Sequence, residues 1–227
     1  KRNTPAIKFL KVDGNYRYQA GRNLVKETQK EIENLLALYN YLIKSNPNIT
    51  ELNIKTLRKK FLRKAVSHKY AHWRSLATTF ISFIIEWSDR NEYLNLRCES
   101  GTVEPFYIHL FKGCVLFESL IKANPKNQPP IKTKNGNFMT LNTVLQHVQQ
   151  NLLLPQKLNI SENEFQSVIS NLPIANDTIE TYIEFTGLVR NTIGHNIGGK
   201  IKFSPNDYKK LFNMIAISNI HVINCLY

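Results

Sequence analysis

The sequence predicts an all-α protein: a helical bundle with an additional basic helical region at its N-terminal side. Apolar residues recur every three to four positions through most of the chain, and no pair of alternating segments indicates a β-hairpin. Helix-start signals accompany the apolar pattern, such as Ser161 followed by Glu164, and Ser204 followed by Pro205. With 227 residues, of which 42% are hydrophobic, the chain is long enough to bury a sizeable core.

The first hundred residues are predicted to form an irregular lead-in and three helices, which together make the basic region 1–100. Residues 1–24 show no steady period, whereas 26–44 carries a regular apolar stripe. A second helix is predicted from about 53 to 70. A third, over 73–89, is apolar nearly all round and is therefore expected to be buried.

Residues 104–227 are expected to form the second domain, after a connection over 92–104. A loop rich in Pro, Lys, Asn and Gly separates its first helix from the others. The predicted helices of this domain cover 106–123, 140–153, 161–172, 177 to about 199, and from Ser204-Pro205 nearly to Tyr227.

The net charge of +13 is concentrated in the first third of the chain. Residues 1–75 contain 17 Lys and Arg against 5 Asp and Glu, whereas residues 76–227 contain 13 against 12. Such asymmetry indicates a polyanionic partner, most often nucleic acid, although a solvated basic face would show the same charge. The candidate phosphate-binding residues are Arg58, Lys59, Lys60, Arg63, Lys64, Lys69 and Arg74.

The sequence gives little indication of disulfides, a metal site or membrane association. The three cysteines have no metal-ligand spacing, which favours a reducing, cytoplasmic setting without disulfides or a zinc site. The densest apolar stretch, 80–87, is too short to cross a bilayer, so no membrane association is expected. His68 and His72 lie four residues apart but lack a third ligand. We therefore expect neither a bound metal nor a cofactor.

The segment 188–196 carries the strongest functional signal. Arg190 falls within the apolar stripe of a predicted helix, where a charge is costly unless it is paired or faces a site. Its guanidinium can bind two phosphate oxygens, and His195 can transfer a proton near neutral pH. Asn191 shares the polar edge with His195. Glu118 lies in the apolar stripe of an earlier helix, and we expect it to pair with Arg190.

This segment resembles the signature of the HEPN superfamily, the small helical domains of toxin–antitoxin, CRISPR-associated and abortive-infection systems. That signature is an Arg, usually followed by a polar residue, with four to six residues before a His; here it is Arg190, Asn191 and, after four intervening residues, His195. The segment 107–122 resembles the earlier core helix of the family, in which Glu118 fits the position of an acid. The resemblance covers about 104–227.

The resemblance implies a metal-independent endoribonuclease that acts as a homodimer, with two Arg–His pairs lining one cleft and with an antitoxin or activating partner. The histidine would serve in acid–base transfer, and the arginine would stabilise charge on the phosphate. Two features depart from the family. Gly194 stands where many relatives have alanine, and Ile197 stands where some toxins carry a modified tyrosine.

Two alternatives remain open. In the first, the chain is a catalytically silent RNA- or protein-binding module, and Arg190 only forms a structural ion pair with Glu118. In the second, it is a DNA-binding regulator that inserts the helix 53–70 into a groove. The histidines His109, His147 and His221 lie on apolar segments and are interpreted as buried structural residues.

Overall fold

The described part of the chain is helical, which confirms the all-α class. The computed structural model describes residues 14–63, 71–96, 104–123, 135–137, 140–141, 145, 178–195 and 204–227, and none of these residues forms a β-strand. The helices are α1 (Gly14–Ile43), α2 (Ile54–Leu57), α3 (Ala71–Leu96), α4 (Glu104–Lys122), α5 (Ile179–His195) and α6 (Pro205–Leu226). A π-helical turn, Arg58–Leu62, continues directly from α2.

Helix α6 forms the centre of the bundle. It begins at a capping box in which the Ser204 and Asp207 side chains bond each other's backbone N–H groups, with Pro205 at the first helical position, so the predicted start is confirmed. Almost every side chain from Tyr208 onwards is buried or half-buried, because α6 packs against α1, α3, α4 and α5.

Helix α3 is less buried than its composition predicts. One face is buried, formed by Trp73, Ala77, Phe80, Phe83, Ile84 and Trp87. Arg74, Ser75 and Thr78 on the other face are exposed. The prediction of an entirely buried helix was therefore wrong for α3: small and polar residues between the aromatic ones give it a solvent-facing side, and α6 takes the central place.

The contacts along α6 show in which direction α4 and α3 run relative to it. Gly113 of α4 lies against Ile215, and Leu120 accepts a hydrogen bond from the Tyr227 hydroxyl, so α4 and α6 run in the same direction. Helix α3 runs the opposite way, since Trp87 stacks on Phe212 near the start of α6, whereas Trp73 contacts Tyr227 at its end.

Three elements differ from the predictions by more than about two residues. Helix α1 begins at Gly14 rather than near residue 26, so the irregular lead-in was wrong for 14–24. No apolar stripe marks this stretch, and its good helix formers are interspersed with Gly, Asn and Tyr. Helix α3 continues to Leu96, into the expected connection. The helix expected over 53–70 gives way to a π turn after one turn. Its residues 64–70 lie outside the described part of the chain.

Two predicted helices lie almost wholly outside the described residues. Of 140–153 the structure describes Thr140, Leu141 and Leu145, and the two leucines are buried four residues apart. None of 161–172 is described.

Helices from both expected domains contribute to one hydrophobic cluster. The stretch 97–103, where the boundary between the two domains was predicted, lies outside the described residues.

Gly113 allows α4 to approach its neighbours closely. A Cβ atom added there would lie 2.5 Å from Phe83 Cζ and 2.6 Å from Ile215 Cγ2, both on buried side chains. We expect Gly113→Ala to lower the free energy of unfolding by about 1–3 kcal/mol, measured by urea denaturation. Gly194→Ala is the control, because its Cβ would meet only the half-buried Phe111 ring, at 3.2 Å. An unchanged midpoint for Gly113→Ala would contradict this packing.

Candidate functional site

An ion pair between α4 and α5 forms the centre of the candidate site. Arg190 Nε donates to Glu118 Oε2 at 2.9 Å, and Arg190 Nη1 donates to Asn191 Oδ1 at 3.1 Å. The Glu118 side chain is only 11% exposed, whereas that of Arg190 is 35% exposed. The predicted contact of Glu118 with Arg190 is thus confirmed, and Arg190 lies at the edge of the buried stripe.

Lys122 is a member of this cluster that the sequence reasoning missed. Its ammonium bonds the second carboxylate oxygen of Glu118, Oε1, from one turn later on α4, and its side chain is 20% exposed. The signal was present, because Glu and Lys four residues apart on a helix commonly pair. The formal charges of Arg190, Glu118 and Lys122 therefore sum to +1.

The helix faces beneath this cluster are tightly packed. Thr186, Val189 and Ile193 of α5 are buried on the face adjoining Arg190. Cys114, one turn before Glu118, is fully buried, and burial raises the pKa of its thiol strongly although Arg190 partly opposes that shift. Cys114 therefore stays protonated at neutral pH and does not supply a nucleophile here.

His195 is the last residue of α5, so the helix places it on the same rigid element as Arg190 and Asn191. Five residues separate Arg190 and His195, about 140° around a regular helix axis. The side chain of His195 lies outside the described part of the chain. Its proposed role in proton transfer therefore rests only on its position in the sequence and on the helix.

The guanidinium retains hydrogen-bonding capacity towards solvent. Among the described residues, Arg190 bonds only Glu118 and Asn191, through Nε and Nη1, which leaves Nη2 unpaired. The Glu118 carboxylate, bonded to Nε, fixes the orientation of the planar guanidinium. Its Nη2 group can then donate to an anion. Together with the net positive charge, this arrangement suits a phosphate group.

The predicted phosphate-binding residues fall into different environments. Lys59, Arg63 and Arg74 are exposed and form no ion pair with any described residue. Arg58 is also exposed and donates to the Gln29 side chain at 3.1 Å. Lys64 and Lys69 lie outside the described residues. These cations lie on the π turn and at the start of α3, whereas Arg190 lies on α5.

Lys60 has a structural role that the basic pattern did not indicate. Its ammonium donates to the Asn224 backbone oxygen at 3.1 Å and to Asn224 Oδ1 at 2.9 Å. That oxygen belongs to the last turn of α6, where helix carbonyls lack intrahelical partners and a cation is favourable. Lys60 therefore caps α6 instead of facing a ligand.

We expect Lys60→Met to lower the free energy of unfolding by about 1–2 kcal/mol, because it removes these two charged hydrogen bonds. Lys59→Met is the matched control, since Lys59 is exposed and should change stability by less than about 0.5 kcal/mol. Urea denaturation of the two variants checks this. Equal losses from both variants would show that the cap contributes nothing.

Two of the histidines interpreted as structural are buried and hydrogen-bonded. His109 Nε2 donates to the Phe83 backbone oxygen at 2.8 Å, and its Nδ1 accepts from the Tyr208 hydroxyl at 2.7 Å. His221 Nδ1 lies 3.3 Å from the Tyr39 hydroxyl. Both interpretations are confirmed, and His147 lies outside the described residues.

Comparison of the chain with protein-family models, with curated proteins and with solved structures finds no match. Among the described helices, none has both the length and the apolar character needed to cross a membrane.

Proposed function

We propose that this chain is a metal-independent endoribonuclease of the HEPN type, in which Arg190 and His195 act on an RNA phosphodiester in a cleft between two copies. The observation that carries the proposal is the half-exposed Arg190 guanidinium, held by a buried Glu118 with Nη2 left unpaired among the described residues. The Arg–Asn–His spacing on one helix supports it.

The proposed reaction needs only groups of the protein and the RNA. His195 accepts the proton of the 2′-hydroxyl, whose oxygen attacks the adjacent phosphorus. Arg190 donates to the phosphate oxygens as negative charge develops, and Lys122 adds a second cation close by. The bond between phosphorus and the 5′ oxygen breaks, and that oxygen takes up the proton from the His195 imidazolium. The products are a 2′,3′-cyclic phosphate and a 5′-hydroxyl.

Three further parts of the proposal rest on the family resemblance: the homodimer, the controlling partner and the biological role. A homodimer would bring two Arg–His pairs to one cleft, and an antitoxin or activating partner would control them. The biological role would be growth arrest or antiviral defence in the cytoplasm. The exposed cations Lys59, Arg63 and Arg74 support RNA as the partner, because they can bind backbone phosphates without sequence preference.

One observation favours the silent binding module as the second candidate. Two of the three guanidinium nitrogens of Arg190 are already bonded within its own chain, as expected for a structural ion pair. In that case Arg190 would hold α4 and α5 together, and RNA or a protein partner would bind without being cleaved.

The nature of the RNA ends distinguishes the two candidates. The purified protein would be incubated with labelled single-stranded RNA in EDTA, and the product ends would be identified by their sensitivity to a phosphatase before and after acid treatment. The nuclease proposal expects 2′,3′-cyclic phosphates and 5′-hydroxyls. RNA that is bound but stays intact would support the silent module, and ends carrying 5′-phosphates would contradict the proposed chemistry.

A further inference from the structure

Several polar side chains line a groove between α1, α3 and α6. The groove has a volume of about 370 Å³, which lies at the lower end of the usual range for small-molecule sites. Its polar lining consists of Glu31, Asn34, Asn91, Lys209 and Asn213. Its apolar floor consists of Leu35, Leu38 and Trp87, and the Trp87 ring is fixed by stacking on Phe212 at 4.2 Å.

The polar side chains that line the groove do not hydrogen-bond to one another. Among the described residues, none of the five forms a hydrogen bond or an ion pair with another side chain. Glu31 is half-buried, and burial raises the pKa of its carboxyl, an effect that the nearby Lys209 partly opposes. Glu31 and Lys209 thus line the same groove and interact electrostatically, but within the described part of the chain they form no ion pair, which leaves both able to bind a ligand placed between them.

The donor and acceptor set restricts the chemistry of that ligand. The two oxygens of a carboxylate accept best from two adjacent N–H groups. Among the nucleobases, guanine alone offers this pair on its Watson–Crick edge, at N1 and N2. Its O6 and N7 atoms accept hydrogen bonds, for which lysine is a common partner. The carboxamides can both donate and accept, so they suit the remaining edge and the ribose.

We propose that this groove binds a guanine base, with Glu31 accepting from its N1 and N2 groups and Lys209 donating to O6 or N7. The base can come from a free nucleotide or from an unpaired position in RNA, since both present the same edge. This groove lies on the α1 and α3 side of α6, whereas Arg190 lies between α4 and α5. The proposal therefore does not depend on RNA cleavage.

Isothermal titration of the full chain tests the proposal. The probes are guanosine, inosine and adenosine 5′-monophosphates, and single-stranded hexamers of uridine with one guanine or one adenine. We expect guanosine monophosphate to bind, inosine monophosphate to bind about tenfold more weakly because it lacks the N2 group, and adenosine monophosphate to bind still more weakly. Binding of the guanine nucleotide alone would identify a free nucleotide as the source, and binding of the guanine hexamer would identify RNA.

Two variants of α1 give the matched comparison. Glu31→Gln should weaken binding of the guanine probe at least about tenfold, because a carboxamide offers one acceptor where two are needed. Glu33→Gln should bind it as wild type does, since Glu33 is exposed, bonds Gln29 and does not line the groove. Thermal unfolding of both variants checks that they fold. Equal binding of guanine and adenine probes, no binding of either guanine probe, or unchanged binding by a folded Glu31→Gln would overturn the proposal.

Discussion

Replacing Arg190 with alanine is expected to lower the rate of RNA cleavage by about 100- to 1000-fold, the usual loss when one donor to a developing anion is removed. Arg190→Lys should recover little of the rate, because an ammonium keeps the charge but lacks the planar fork that lets Nε bond Glu118 while Nη2 faces the phosphate. Single-turnover cleavage of a labelled RNA, measured with enzyme in excess, reports the chemical step directly.

The controls for Arg190 separate catalysis from folding and from general charge. Lys30→Ala removes an exposed cation of α1 and should leave the rate within about twofold of wild type. Loss of the Arg190 side chain leaves Glu118 still paired with Lys122, so the variant should remain folded in a thermal melt. A folded Arg190→Ala that cleaves at the wild-type rate would show that the ion pair is only structural.

The stability of the protein is expected to fall by about 3 kcal/mol as the pH is lowered from about 6.5 to about 4, through the single residue His109. Burial lowers the pKa of His109 to about 4, and its hydrogen bond to the Phe83 carbonyl only partly opposes the shift. In the unfolded chain the imidazole titrates near 6.5. Because the unfolded state takes up the proton first, acid favours unfolding throughout that window, and the loss levels off below about pH 4.

His109→Gln isolates this contribution. The carboxamide can still donate to the Phe83 oxygen and accept from the Tyr208 hydroxyl, but it does not titrate. The variant is less stable in absolute terms because it loses the stacking of His109 on Phe83 at 4.6 Å. Its free energy of unfolding, measured in urea at several pH values, should depend less on pH between 6.5 and 4. Parallel curves for wild type and variant would show that His109 is not the residue responsible.

Much of the fold could be predicted because the signals are local. Ser204, Pro205 and Asp207 lie within four residues, and together they determine where α6 starts. The contact of Glu118 with Arg190 was predictable from distant parts of the sequence, because each charge interrupts an apolar stripe and each needs a partner of opposite sign.

The remaining features depend on packing between distant segments. The π turn at Arg58–Leu62 accompanies the burial of Phe61 against Tyr227 and the capping of α6 by Lys60, and no local pattern reports either contact. The central position of α6 depends likewise on the four helices packed around it. The polar groove combines residues from three helices whose individual patterns look like solvated faces.

The central claim is that Arg190 and His195 together cleave RNA, with His195 transferring the proton. Its most direct test is the single-turnover rate of RNA cleavage in EDTA for wild type beside His195→Ala. We expect wild type to cleave and His195→Ala to be slower by about 100- to 10,000-fold, with both proteins equally folded and binding RNA equally. Equal rates for the two proteins, or intact RNA with both, would contradict the claim.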